Sequence, residues 1–528
     1  MLPEGISKLP IEKWTNRHEN FTQDLVKNAS FKLRNPKGAA FPKRRDRYMA
    51  STKNFQWLIQ HGIDNNLKLR AMGSGWSFTK CGVAKGGIID TSSLNFSFPL
   101  TQSYVSNQYT QTPEDLYFLQ CGTIIYELNN RLSAKKPMRS IKASGASNGQ
   151  TIAGAMSTGT HGAGFKVGAV QDFVVGLHIV TGANKHVWIE RQSYPVASQK
   201  FVDWLDADLI QDDAIFEAAL VSFGSFGFIH GVMVETEPIF LLEEHRIGNL
   251  PYNDTLKKAM TKLDFSGLNL PGAGPGKDLY HFEVLFNPHN FEANNSDKGG
   301  FIKFMYKKAY NPNYKEFKKN PKFTYGDDLL GFIQTVLDSL KPINQLLIPP
   351  LVNSLFSLAF KPQDPQDGTV GDIFNYTKFR GKVASAALAI DIKDAAKVVD
   401  EIVALNKTKA FPGGLSLRYV KGTKATLGFT KFPQTCVLEL DGVDSKAARD
   451  FYEDIWTTLE QKGIPFTLHW GKINFFLNEA RVNTMYGTQA VDSWLEARHK
   501  LLDKKTRKIF NNAFISNCGL DKELGAIV

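Results

Sequence analysis

The sequence predicts an α+β protein of more than one domain, and three observations carry that prediction. At 528 residues the chain exceeds what a single hydrophobic core organises. Between about residues 36 and 238, short apolar or alternating runs bounded by glycine ("GGIIDTSSL", "LYFLQCGT", "FVVGLHIVTG", "VWIE") are interleaved with helix-like stretches such as "NFQWLIQHGIDNN" and "IIYELNNRLSAK". After Pro238 the texture changes: strand-like "LYHFEVLFNP" leads into charged, aromatic loops and then an apolar helical region. A βαβ-like pattern follows, from "VASAALAIDI" through "DAAKVVDEIVALNK" to "LSLRYV". The last hundred residues hold a strand-like "CVLEL", a helix over "AARDFYEDIWTTLEQKG" and the compact "FTLHWGKINFF".

Composition narrows the class. Hydrophobic residues make up 42% and charged residues 22%, an ordinary globular balance. The net charge of +11 is spread along the chain, with dense clusters only at "PKRRDR" (42–47) and "KKTRK" (504–508). No nucleic-acid-reading motif accompanies them, so they read as a solvated surface or an attraction for anionic ligands. The four cysteines show neither CxxC nor metal-ligand spacing. They are expected to be free thiols in a reducing compartment, and no metal is expected. The start of the chain lacks the apolar core of a secretory leader. The least charged stretch, 342–360, carries Asn, Gln and a Pro349-Pro350 pair that argue against a spanning helix. A soluble cytoplasmic protein is the expectation, without membrane association or a nucleic-acid partner.

Two glycine-rich segments carry the functional signal. In "LKLRAMGSGWSFTK" (67–80) an alternating strand-like run breaks into Gly73-Ser74-Gly75, where the backbone can come close to a ligand and aim its amides at an anion. The alternative is a plain tight turn. The second segment, "ASGASNGQTIAGAMSTGTHGAG" (143–164), packs six glycines with Ser, Thr and Asn into twenty-two residues. A flexible linker would not contain Thr151-Ile152-Ala153 and Met156. Small hydroxyl residues suit a wall pressed against a large flat ligand and its phosphates. Two such loops in one domain point to a dinucleotide held by backbone. The Rossmann pattern does not apply, because "GSGWSF" lacks the third glycine and the acidic residue that follows at a distance in that fold.

Taken in order, "RAMGSGWSFT" (70–79), "QCGTIIYELNNRL" (120–132), "GQTIAGAMSTGTHGAG" (149–164), "VVGLHIVTG" (174–182), "FEAALVSFGSFGFIHGVMVETEP" (216–238) and "HWGK" (469–472) resemble the vanillyl-alcohol-oxidase family, within it the aldonolactone and alditol oxidase branch. That branch includes D-arabinono-1,4-lactone and L-gulonolactone oxidases. The resemblance implies a two-subdomain, PCMH-type FAD-binding domain and a cap domain built on an antiparallel sheet flanked by helices. The expected division is an N-terminal extension (1–35), the FAD-binding domain (36–242), the cap (243–470) and a C-terminal segment returning to the FAD domain (471–528). It further implies that Gly73, Ser74, Gly75, Trp76 and Ser77 cradle the FAD pyrophosphate. Ser144, Gly145, Thr151, Gly154, Thr158, Thr160, His161 and Gly162 would line the flavin and its diphosphate chain. Ile229 and His230 fall on the adenine side. Many members of the branch carry, where this chain has Trp76, a histidine bonded to the flavin 8α-methyl. Indole offers no such nucleophile, so non-covalent FAD is expected.

Oxidising a carbinol with a flavin moves a hydride to N5 and builds negative charge near N1 and C2=O. Lys472 of HWGK is the leading candidate to stabilise that charge or to polarise the substrate oxygen. His469 either orients the substrate, acts as a base or is a packed imidazole. Arg418 resembles the arginine of the branch's ExR strand, with Ser416 on the same face where a glutamate is expected. Arg418 is therefore expected to lack that partner. Glu283 would supply a carboxylate from a neighbouring strand, as ion-pair partner or base, or would face outward. The apolar region 327–360 reads as helical core, with a cavity wall, a subunit contact or a membrane-surface contact as alternatives. The leading expectation is oxidation of a CH–OH group in a sugar lactone or polyol, with electrons passing to dioxygen or another acceptor. The alternatives are a steroid or bulky-alcohol oxidase of the same fold and a flavin-binding protein that has lost catalysis.

Overall fold

The computed structural model describes residues 2–315, 317–318, 328–338, 345–377 and 381–524. Three main sheets organise these residues in an α+β arrangement. The first runs in the order Ile6–Leu9, Ser30–Arg34, Gly87–Ser93, Leu69–Met72, and its last three strands are parallel. Residues 1–35, expected as an extension, therefore supply two of its four strands. The reason is the alternation in "SFKLR", whose Phe31 and Leu33 are fully buried. Helix Arg44–Asp64 packs on this sheet and on strand Val174–Val180 of the next. That second sheet has six strands, ordered Asp208–Gln211, His186–Glu190, Val174–Val180, Phe228–Glu235, Leu116–Gln120, Ser97–Pro99. Helix Asp213–Leu220 also touches Val174–Val180, and every residue of that strand is buried.

The third sheet has eight antiparallel strands, ordered Gln366–Gly368, Phe240–Leu250, Gly300–Ala309, Asp278–Phe286, Gly413–Lys421, Gln434–Val443, Val383–Asp391, Phe466–Leu468. It begins at Phe240, slightly before the expected boundary. The βαβ-like pattern is split: Gln434–Val443 lies between Val383–Asp391 and Gly413–Lys421 and is antiparallel to both. A hairpin following the third element of the pattern thus takes the central place.

Within the apolar region 327–360, helices Leu329–Asp338 and Ile348–Phe360 pack on each other and on the third sheet, with the Phe332 and Phe360 rings 5.6 Å apart. Residues 327 and 339–344 lie outside the described residues. Pro349 and Pro350 sit in the first turn of the second helix, where a missing N–H costs little. Among the described residues no helix is long and apolar enough to cross a membrane. The end of the chain lies on the first two sheets' side: the Phe78 amide donates to the Gly471 carbonyl (2.8 Å), and Trp494 Nε1 donates to the Val221 carbonyl (3.1 Å).

Candidate active site

The two glycine-rich segments meet face to face. A Cβ on Gly73 would lie 2.1 Å from Thr151 Oγ1 and 3.0 Å from Thr151 Cβ, so no rotation of Thr151 makes room. A Cβ on Gly149 would lie 2.3 Å from the Trp76 ring. Small residues here answer to close approach of two loops, beyond any turn requirement. Between the loops runs a two-lobed cavity. Both lobes share Gly73, Ser77, Thr151, Gly154 and Thr158 as walls. One lobe is bounded mainly by apolar groups, among them Trp14, Phe21, Met72, Val83, Phe223 and Ile229. The other is bounded by Trp76, Thr160, His161, Asp328, Arg418, Glu439, Asp441, His469 and Lys472. This shape fits FAD: an apolar end for adenine, a small-residue waist for the pyrophosphate, and a polar end for the reacting ring. Gly73→Ala is expected to weaken FAD binding about 5- to 150-fold, the equivalent of ~1–3 kcal/mol of overpacking. Titration of apoprotein with FAD checks this, and Thr151→Ala in the same chain is expected to restore part of the affinity.

The polar lobe is built by strand alternation. Glu283 faces Arg418, Ser416 faces Glu439, and Ser385 faces Asp441 across neighbouring strands. Residues opposite one another share a face, so these six form one polar face of the eight-stranded sheet. The residues between them, such as Val284, Leu417, Leu438 and Leu440, are buried on the other face. Arg418 reaches Glu283 Oε1 from Nε (3.1 Å), Glu439 Oε2 from Nη1 (3.2 Å) and Asp328 Oδ2 from Nη2 (3.5 Å). The expectation that Ser416 leaves Arg418 short of that one partner, with Glu283 as the alternative source of a carboxylate, is therefore corrected. Glu439, opposite Ser416, supplies one from the next strand.

Lys472 Nζ donates to Glu439 Oε1 (2.7 Å) and to Ser385 Oγ (2.6 Å). Burial works to raise the Glu439 carboxyl, but Arg418 and Lys472 overrule it and hold the group well below the usual carboxylate range. Asp441 differs. Among the described residues its nearest cation contact is Lys472 Nζ, 4.0 Å from Oδ1, and neither carboxylate oxygen makes a hydrogen bond of normal geometry. Burial and the neighbouring Glu439 push its carboxyl up to about 7, against the pull of Lys472 and Ser385.

Gly73, Ser74, Trp76, Ser77, Gly145, Thr151, Gly154, Thr158, Thr160 and His161 line the polar lobe or the waist, and Gly75 and Ile229 line the apolar lobe. Ser144 and Gly162 do not line it. They stand behind the wall, where a Cβ on Gly162 would lie 2.6 Å from the Ser144 carbonyl oxygen. His230 is also displaced from its expected place beside the cofactor. Alternation turns it away from Ile229 into the core, where its ring stacks on Tyr48 at 4.0 Å and bonds Thr52 and Gln120. Lys472, Arg418 and His469 line the polar lobe. Glu283 stands behind Arg418 as its ion-pair partner, 1% exposed, which removes the outward-facing alternative. Burial would raise its carboxyl, yet Arg418 and Lys303 hold it well below the usual range, which suits an anchor better than a base. His469 Nδ1 accepts the Gly471 amide (2.9 Å), so its neutral ring carries hydrogen on Nε2 and presents a donor. Its role as a base is corrected on that ground.

Glu439, Asp441, Ser385 and Asp328 were not singled out from the sequence. The signal for two of them was present: "CVLELD" places acids at i and i+2 of an apolar strand, hence on one face.

Residues 48–190 match the family model described as an FAD binding domain. The chain is 26% identical over 188 residues to the L-gulono-1,4-lactone dehydrogenase of Mycobacterium tuberculosis, covering 36% of each chain. It is 26% identical over 186 residues to the D-arabinono-1,4-lactone oxidase of Kluyveromyces lactis, covering 35% of this chain and 30% of that one. The match therefore spans about a third of these relatives' length. Among solved structures, cholesterol oxidase from Brevibacterium sterolicum superposes with a TM-score of 0.68 at 15% identity, covering 97% of both chains. That likeness concerns the fold. Over residues 48–190, which hold both glycine-rich loops, the chain is thus similar to that FAD binding domain, and the relatives share the resemblance.

Proposed function

We propose that this protein is an FAD-dependent oxidoreductase that oxidises a CH–OH group of a small hydroxyl-rich molecule, a sugar lactone or polyol, and passes the electrons to dioxygen or another acceptor. The observation that carries this reading is the chemistry of the polar lobe. Arg418, Lys472, Glu439, Asp441, Asp328, His161 and His469 offer a substrate many hydrogen-bonding groups, set beside an apolar wall that includes Trp76, Phe78 and Leu330. A site of this kind recognises hydroxyls, and an apolar substrate would leave its buried polar groups unpaired. In this reading the first two sheets form the FAD-binding part, the eight-stranded sheet forms the cap, and the C-terminal segment closes back on the former. Bound FAD supplies the hydride acceptor. The loop Gly73–Ser77 and the segment 145–161 would hold its pyrophosphate and ring, with Ile229 at the adenine end. Lys472, fixed on the wall of the polar lobe, would set a positive charge near the flavin ring if the cofactor binds there. Arg418 is held rigid by three carboxylates and orients a substrate oxygen.

The cofactor is held without a covalent link to the first loop. Trp76 packs against Gly149, with the Arg17 guanidinium 4.9 Å from its ring centre, and its indole offers no nucleophile for a flavin bond. Acid precipitation of the holoprotein is expected to release the yellow chromophore into the supernatant. Colour retained in the washed pellet would refute this.

The function itself is tested by bleaching of the flavin under nitrogen with lactones, polyols and sterols offered in parallel. Lactones or polyols are expected to bleach it. Bleaching by sterols alone would move the assignment to a bulky-alcohol oxidase, and no bleaching by any of them would leave a binding protein. The four cysteines are buried and unpaired, which supports the reducing, cytoplasmic setting.

A further inference from the structure

Removal of a hydride from a carbinol carbon requires that the hydroxyl proton also leave, and the polar lobe holds several groups that could take it. Most are already engaged. Glu439 is gripped by Lys472 at 2.7 Å and Arg418 at 3.2 Å. Asp328 accepts the Gly331 amide on Oδ1 (2.9 Å) and pairs with Arg418 through Oδ2. His469 presents an N–H, because its Nδ1 is occupied by the Gly471 amide. His161 bonds the Gly162 carbonyl through Nδ1 (3.0 Å), which leaves Nε2 as a lone pair, 3.8 Å from Glu439. Burial depresses that imidazole to about 4, so it is a weak base. Asp441 remains: 1% exposed, on the wall of the lobe, with both oxygens lacking a hydrogen-bond partner of normal geometry. A buried carboxylate whose oxygens have no well-formed hydrogen bond is costly, and it is retained where a ligand completes it.

We infer that the Asp441 carboxylate is the proton acceptor of the reaction, taking the substrate's hydroxyl proton as the carbinol C–H bond breaks. This rests on the function proposed above. The C–H electron pair leaves with the hydride to FAD, the O–H proton goes to Asp441, and a C=O bond forms. The alcohol is oxidised by two electrons, which the cofactor receives. Asp441 is surrounded by Lys472 from the HWGK turn, Glu439 on its own strand, Ser385 and Arg418 on neighbouring strands, and Asp328 ahead of helix Leu329–Asp338; these set its proton affinity, and it in turn raises that of Tyr452 on helix Lys446–Gln461. Lys472 at 4.0 Å favours the ionised form that must be present before substrate reacts. Because burial lifts the carboxyl to about 7, the ionised fraction falls as pH drops through neutrality, and kcat/KM is expected to fall with it.

Three measurements on the FAD-loaded full chain test the inference. In anaerobic stopped-flow, Asp441→Asn is expected to slow flavin reduction at least about 100-fold and to abolish the acid limb of kcat/KM near pH 7. The variant is isosteric and removes a buried charge, so its flavin spectrum and melting temperature are expected to be kept or the latter raised; a purely structural role would lower it. In pH-difference infrared spectra, a carboxyl C=O band titrating near pH 7 is expected in the wild type and absent from the variant, whatever the substrate. Wild-type reduction rates in Asp441→Asn, an acid limb removed by His161→Gln instead, or no such infrared band would each overturn the inference. A wild type that holds FAD but is bleached by none of the substrates offered would instead sink the underlying function, and the inference with it.

Discussion

Lys472→Met slows anaerobic flavin reduction by roughly 10²- to 10³-fold while FAD stays bound; this is the expected result if the lysine acts on charge that develops during hydride transfer. Two of its three N–H donors are fixed by Glu439 and Ser385, at 2.7 and 2.6 Å, so the ammonium cannot swing toward solvent. Its position is set before substrate arrives. A preorganised charge in a water-poor cavity is worth far more than a mobile surface lysine, because no reorganisation is needed as the reaction proceeds. Removing it also leaves Glu439 with Arg418 as its remaining close cation. Some loss of stability is therefore expected alongside the kinetic effect, and melting of the variant must be recorded to separate the two. Stopped-flow reduction at saturating substrate reads the effect directly. An unchanged rate constant would remove Lys472 from the chemistry and leave it as an anchor for Glu439.

Arg418→Met has the larger expected effect on the fold. The guanidinium stands between Glu283, Glu439 and Asp328, all nearly inaccessible to solvent. Removing the shared cation strands buried carboxylates, which costs on the order of 3–5 kcal/mol. The thermal midpoint and protease resistance are expected to fall sharply. Arg418→Lys restores the charge without the planar fork that reaches three carboxylates at once, so only partial recovery is expected. Acidification narrows the gap between Arg418→Met and the wild type, since protonating the stranded carboxylates removes their uncompensated charge. Equal melting of the methionine variant and the wild type at neutral pH would show that the network adds nothing to stability.

Much was legible in the chain. Strands and helices were legible by pattern, as in the glycine-bounded apolar run "VVGLHIV" for a fully covered strand and the helical period of "AARDFYEDIWTTLEQ" for helix Lys446–Gln461. The facing loops were legible as well, because close backbone approach demands small residues and the sequence concentrates them there. Strand order in the eight-stranded sheet was not. Local pattern made Val383–Asp391 and Gly413–Lys421 neighbours, whereas a hairpin sets Gln434–Val443 between them. That insertion is also what brings Glu439 and Asp441 beside Arg418 and Lys472.

The amino-acid sequence by itself determined the small-residue walls of the cavity, since a run of glycines and short hydroxyl residues has meaning along a contiguous stretch. Only the tertiary structure decided the ionic half. Arg418's partners come from positions 283, 328 and 439, and Lys472's from 385 and 439. Such distances along the chain carry no local signal, because which carboxylate neutralises which cation depends on strand register, and register is fixed by burial of the opposite, apolar face.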